Sequence, residues 1–197
     1  MKTLLTLFVL LFSSSVFADD ISDFQIEGIS IGDNLLDYFN ENEIKKNYKS
    51  HYYKYKKDKS FIAIEFNDPG RFTEYDGIQV HIPNFDKKYI QNKNNSYKVV
   101  ALSGFIILEF GECLKKQNEI EIILSNTFTN FEKRKNEMSH EADPSGKSIT
   151  KSIWFDFPSE DNVQISCYDW SEEMNRQDHL RVGLRSKEYR QWINFSD

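Results

Sequence analysis

Apolar side chains recur along this chain in two rhythms, and the change of rhythm marks out its elements. Residues 61–66 (Phe-Ile-Ala-Ile-Glu-Phe) form a short apolar run, and residues 78–82 (Ile-Gln-Val-His-Ile) alternate strictly. Both read as strands, and Asn67-Asp68-Pro69-Gly70 between them is rich in turn formers. Residues 97–110 are a longer β-rich run, broken by Ser103-Gly104, which predicts a bulge or bend. The period then shifts. Cys113, Gln117, Ile120, Leu124 and Phe128 share one helical face, widened by Leu114 and Ile123, so a helix is predicted over 112–128. Residues 131–148 are polar and without period, and Asp143-Pro144-Ser145-Gly146 reads as a turn. Strand patterns return at 149–157, 163–168 and 180–184, and residues 187–193 fit a last short helix.

Before the first strand, Gly28 and Gly32 bracket Ile29 and Ile31. Asp33 is placed to cap a short helix whose apolar stripe is Leu35, Leu36 and Phe39. Asn40 with Glu43 three positions on has the spacing of a capping box for a second turn of helix ending near Asn47. The element order is therefore α-β-β-β, again α-β-β-β, and a tail helix. This predicts an α+β protein with a curved antiparallel sheet built from two α-β-β-β units. Residues 19–110 and 111–197 would be its halves, and the helices would pack on one face.

The first 18 residues stand apart from this scheme. Met1-Lys2 is a minimal basic start, residues 3–12 are apolar, Ser13-Ser14-Ser15 end the run, and Val16-Phe17-Ala18 fits a cleavage site. The run is shorter than the roughly 20 residues that span a bilayer. An export signal over 1–18 is expected, with a single soluble α+β domain over 19–197 and a periplasmic or secreted location.

Composition adds limits. The chain is 39% hydrophobic and 15% aromatic, with 16 Phe and 10 Tyr, enough for a packed core rich in strands. Its formal charge is −6, which disfavours a nucleic-acid partner. In an oxidising compartment Cys113 and Cys167 are expected to form a structural disulfide, stabilising by about 4 kcal/mol on the chain-entropy view. A CxxC spacing and neighbouring His ligands are both lacking.

At this point a resemblance enters. A short helical pair led by Gly28-Ile29-x-Ile31-Gly32-Asp33, followed by antiparallel strands and repeated, resembles the beta-lactamase-inhibitor-protein-like class. It is similar also to the small outer-membrane-assembly lipoproteins and to secreted bacterial proteins of Asn/Lys-rich composition. The specific likeness covers about residues 26–47. It implies the tandem fold and a binding role, and it carries no catalytic residue.

Several clusters carry candidate chemistry. Tyr48, Tyr52, Tyr53 and Tyr55 interleave with Lys54, Lys56 and Lys57 in a cationic, aromatic stretch. It reads either as a lysine-protected edge strand or as a contact surface for a protein or anionic glycan of the cell envelope. His140, Glu141 and Asp143 put three metal-ligand types in one loop, short of a full coordination set. Gly146-Lys147-Ser148 ends like a phosphate-binding loop. Glu141 stands where that loop needs Gly, so no nucleotide is expected. Asp156, Glu160, Asp161, Asp169, Glu172 and Glu173 supply carboxylates for a possible hydrolytic pair. The leading expectation is non-catalytic binding of an envelope macromolecule, with no cofactor. A glycan hydrolase using a carboxylate pair and an envelope assembly factor are the alternatives.

Overall fold

The structure is a computed structural model that describes residues 21–53, 56–86 and 96–194. The expected export signal at 1–18, and Lys54 and Tyr55 of the Tyr/Lys stretch, lie outside the described residues.

The elements are α1 (Glu41–Lys46), β1 (Phe61–Phe66), β2 (Gly77–Pro83), β3 (Ala101–Ile107), α2 (Phe110–Thr127), β4 (Glu132–Ser139), β5 (Ile149–Asp156), β6 (Asn162–Asp169), β7 (His179–Arg185) and α3 (Lys187–Asn194). All seven strands form one antiparallel sheet in the order β1-β2-β3-β7-β6-β5-β4. β1–β3 run as a meander. Then α2, about 27 Å long at 1.5 Å per residue, carries the chain to the far edge. β4–β7 return to the middle, where β7 pairs with β3. The fold is mixed α+β and mostly sheet. The second run has four strands where three were expected. The extra one is β4, in the stretch read as irregular. It escaped the pattern because all eight of its residues are exposed, so no apolar alternation marks it.

Strand alternation sorts the side chains onto two faces. Ile62, Ile64, Phe66, Ile78, Val80, Ile82, Leu102, Val163, Ile165, Ile153, Phe155, Leu180, Val182 and Leu184 are all buried in one core. α2 lies on this face against β6 and β7, burying Cys113, Ile120 and Leu124. Each such side chain contributes about 1.5–3 kcal/mol by leaving water. Gln117, a buried polar residue of the same helix, donates to the carbonyls of Lys151 (2.9 Å) and Ile165 (3.0 Å). Cys113 and Cys167 lie at disulfide distance, with Cα atoms 5.8 Å apart, tying α2 to β6.

Four further local expectations are corrected. The cap of the first turn is Asn34, whose side chain accepts from Leu36 N, and the turn is a three-residue 3-10 helix, Leu35–Asp37. Asp33 instead accepts from Ser30 N–H and Tyr38 O–H. Asn40 does cap α1 through Glu43 N. The return half of the capping box is missing, because the Glu43 carboxylate pairs with Arg71. Ser103-Gly104 is not a bulge, since β3 keeps register with both neighbours throughout. Gly104 is needed because the Tyr75 ring lies on it; a Cβ there would meet that ring at 2.4 Å. Finally, the helices do not all share one face. α3 packs Tyr189 and Trp192 against Val100 and Ala101, with Tyr53 and Phe61, in a separate cluster. Ala101 and Phe61 alternate with core residues Leu102 and Ile62, so α3 sits on the opposite face.

Candidate functional site

The face that α2 does not cover is polar at its centre. Following the register, Glu65, Gln79, Ser103, Gly183, Gln164, Trp154 and Arg134 form one row across all seven strands. Beside it run Phe105, Arg181, Ser166, Ser152 and Asn136. Next come His179, Tyr168, Thr150 and Met138, and on the other side His81, Ala101, Arg185, Asn162 and Asp156. Ala101 and Met138 are aliphatic, as are Ile107, the partner of His179, and Ala63, the partner of His81, which extend these rows.

The floor residues are small, hydrogen-bonding and buried without an overlying helix turn at the centre. Ser166 is 1% exposed, and Gln79, Ser103, Ser152 and Gln164 are also buried. Taller neighbours shield them. Arg181 reaches across to Gln79 Oε1 (3.1 Å) and Ser103 Oγ (3.2 Å). Gln164 Nε2 donates to Ser166 Oγ (2.7 Å) and Ser152 Oγ (3.3 Å), and the two serine hydroxyls are 2.7 Å apart. A cleft of about 230 Å³ opens over Thr150, Ser152, Gln164, Trp154, Tyr168 and His140. Thr150 Oγ1, at a residue 8% exposed, has no partner among the described residues.

Cations and rings frame this floor. Arg185 lies over Trp154 at 5.0 Å and Arg134 over the same ring at 5.6 Å. Arg134 is neutralised by Asp156 (2.6 Å), which also takes Arg190 (2.9 Å). Among the described residues Arg181 and Arg185 have no carboxylate within ion-pairing distance. Arg181 reaches Glu65 only through the Gln79 amide, 3.2 Å from that carboxylate. Towards the end of the strands, Tyr168 stacks on His179 (4.5 Å), and His140 meets Trp170 (4.3 Å), on which Arg176 also lies (4.6 Å). Burial holds both His179 and His140 below the usual imidazole range, and Arg176 adds to the effect at His140.

The Tyr/Lys stretch borders the same face, though not as an edge strand. Tyr48 bridges to Ile64 and Lys49 N donates to Ala63 O, so the segment caps the free edge of β1. Tyr48 is exposed and edge-on to Phe85. Tyr52 Oη donates to Glu65 (2.8 Å). Tyr53 Oη lies 2.9 Å from both His81 Nε2 and Tyr189 Oη, beneath α3. Lys56 is buried with Nζ over the Trp192 ring, whereas Lys57 is exposed. A lysine-bearing sheet edge is found elsewhere, in β4, whose Lys133 and Lys135 both pair with Glu121 of α2.

The loop at 140–148 does not gather its three ligand types. Asp143 accepts from the N–H and O–H of both Ser145 and Ser148 and from the Ser171 hydroxyl. These serine bonds hold its carboxyl well below the usual range. His140 Nδ1 accepts from Ala142 N–H, and Glu141 is exposed. Among the described residues no three His, Cys, Asp or Glu side chains converge. Lys147 pairs with Glu173 (2.5 Å). Of the remaining carboxylates, Glu160 pairs with Lys187 (2.8 Å) and Asp161 accepts from Lys187 N. Glu172 opens a 3-10 turn. Asp169 differs: burial and the nearby charge of Asp178 raise its pKa.

The polar floor was legible in principle. Asn162/Gln164/Ser166/Tyr168 and His179/Arg181/Gly183/Arg185 alternate with apolar residues, and so do Ser152/Trp154/Asp156. Reading only the apolar half of each strand overlooked them. Comparisons with protein-family models, with curated proteins and with solved structures find no match to this chain.

Proposed function

We propose that the chain is an exported protein of the cell envelope, periplasmic or secreted, that binds an anionic glycan without catalysis on its polar sheet face. The observation that carries this reading is the pair Arg181 and Arg185, set among hydroxyl, amide and aromatic side chains with no carboxylate partner among the described residues. Sugars offer hydroxyls in quantity, which Ser, Thr, Gln and Asn can pair. Their acidic groups suit guanidinium, which presents planar forked donors. The net charge of −6 argues that recognition is local to this face and not a general affinity for polyanions. The Cys113–Cys167 pair supports an oxidising compartment. No helix among the described residues is long and apolar enough to cross a membrane.

The test titrates the chain, expressed with its own leader and purified as processed, with polygalacturonate, dextran sulfate and neutral dextran. Trp154 and Trp170 report through their fluorescence. Binding to a polyanion that weakens with salt, and none to dextran, supports the reading. Equal binding to dextran, or none to either polyanion, refutes it. Intact mass checks export: the processed chain should lack residues 1–18.

The hydrolytic alternative rests on Asp169, the acid raised beside Asp178. It requires release of reducing ends from one of these polymers and loss of that release in Asp169→Asn.

A further inference from the structure

Three glycines sit inside strands, and two have a local reason. A Cβ at Gly77 would meet the Phe105 ring at 2.5 Å, and one at Gly104 would meet the Tyr75 ring at 2.4 Å. Gly183 has neither kind of reason. It lies in β7, at the centre of the sheet, in unbroken register with Ser103 and Gln164. Its φ is not positive, and a Cβ there would find nothing nearer than Ser103 Cβ at 3.6 Å. Glycine in a strand interior weakens the strand, and one remaining reason for it is close approach of a ligand.

The surroundings of that gap match a negative group. Arg181 and Arg185 are two positions away on either side and share its face. Both lean into its row. Arg181 reaches Ser103 and Gln79 on one side, and Arg185 lies over Trp154 on the other. Ser103 Oγ accepts from Arg181, and its own O–H is left to donate. Gln164 and Ser166 complete the polar surround, both buried. Two cations with no carboxylate partner among the described residues, facing a notch that a methyl group would enter, make a complementary seat for an anion.

We infer that Arg181, Gly183 and Arg185, with Ser103, form a subsite for one oxyanion group of the bound polymer, a carboxylate or a sulfate. The inference rests on the glycan reading and narrows it to a position. The notch at Gly183 lets the acidic group descend to the strand, where both guanidiniums and the Ser103 hydroxyl donate to it. The hydroxyls of the sugar chain then run along the Ser152–Gln164–Thr150 floor.

The test compares the processed chain with Gly183→Ala, Gly183→Leu, Arg181→Gln and Arg185→Gln, titrated with polygalacturonate as the carboxylate probe and dextran sulfate as the sulfate probe. Losing a charged donor weakens binding about tenfold or more, so Arg181→Gln and Arg185→Gln should each lose that much. Gly183→Leu fills the notch and should lose at least as much. The smaller Gly183→Ala should hold an affinity between that of Gly183→Leu and the unaltered chain. The polymer whose binding falls identifies the acidic group. If the unaltered chain binds a polyanion and all four variants bind it equally well, this subsite is overturned while the wider reading stands. If the unaltered chain binds neither polyanion, both fall. Should Gly183→Leu fail to fold, Arg185→Gln decides, because its guanidinium rests on the Trp154 ring.

Discussion

On one side of β6, Val163, Ile165 and Cys167 are buried in the main core; on the other, Asn162, Gln164, Ser166 and Tyr168 line the polar floor. The same strand thus serves two faces with different physics. The core face gains by removing hydrocarbon from water, at roughly 25 cal/mol per Å². The polar face exchanges water for Ser–Gln–Ser hydrogen bonds, each with a net worth of about 1 kcal/mol. A sheet can therefore concentrate its stability on one side and leave the other free to be shaped for a ligand.

That contrast can be broken by measurement. The largest effect is expected from the link between α2 and β6. Replacing both Cys113 and Cys167 by Ala should lower unfolding free energy by about 4 kcal/mol in equilibrium urea titration. A loss under 1 kcal/mol would show that the helix is held by packing alone. Ile165→Ala comes next, at about 3 kcal/mol, from lost burial and the cavity left behind.

Acid should sharpen the comparison at the end of the polar face that α3 covers. His81 is buried beside Tyr53 and Tyr189, and burial first, then Arg185 and Arg181, lower its pKa to about 3. Its Nδ1 has no partner among the described residues. Above the ordinary value of 6.5 both folded and unfolded states hold a neutral imidazole. Below it the unfolded chain takes up a proton that the folded chain refuses until about pH 3, so stability falls as pH drops through that window. The slope from this one group approaches about 1.4 kcal/mol per pH unit. Asp143, with its lowered pKa, adds stability above the ordinary carboxylate range that is lost as pH falls further. His81→Gln keeps a partner for the two tyrosines and should flatten the profile between pH 6.5 and 4. An unchanged slope would remove His81 from the account.

The smallest effect belongs to the polar floor itself. Ser152→Ala combined with Ser166→Ala removes a mutual hydroxyl pair and with it both acceptors of the Gln164 amide, so the expected cost is about 1–2 kcal/mol. If that double variant destabilises as much as Ile165→Ala, the floor is core in function and the comparison fails.

How much of this was readable beforehand differs by element. Six strands, α2 and α3 announce themselves because each buries one side against the core, and burial imposes its period on the residues. β4 sends no such signal: Glu132, Lys133, Arg134, Lys135 and Glu137 are exposed on both faces, and it is a strand only because β5 offers it a hydrogen-bonding edge. Cys113 and Cys167 could be paired from their count alone. The Tyr/Lys stretch was only partly legible, for a different reason. Composition showed positive charge and rings, but whether Tyr53 meets a ligand or His81 depends on α3, which arrives from 136 positions away in sequence. Likewise Asp143 looked available for a metal until Ser171, 28 positions on, was placed against it.

Local patterning along the chain determined six of the seven strands, the helices α2 and α3, and which side chains of those elements enter the core. These follow from dihedral periodicity and the removal of apolar surface from water. Only the tertiary arrangement decided that Arg181 and Arg185 flank an empty position between Ser103 and Gln164, and that α3 closes one end of the face. Those are neighbourhoods between strands far apart in sequence. They arise from the order β3-β7-β6, which no single segment encodes because it minimises the free energy of all of them together.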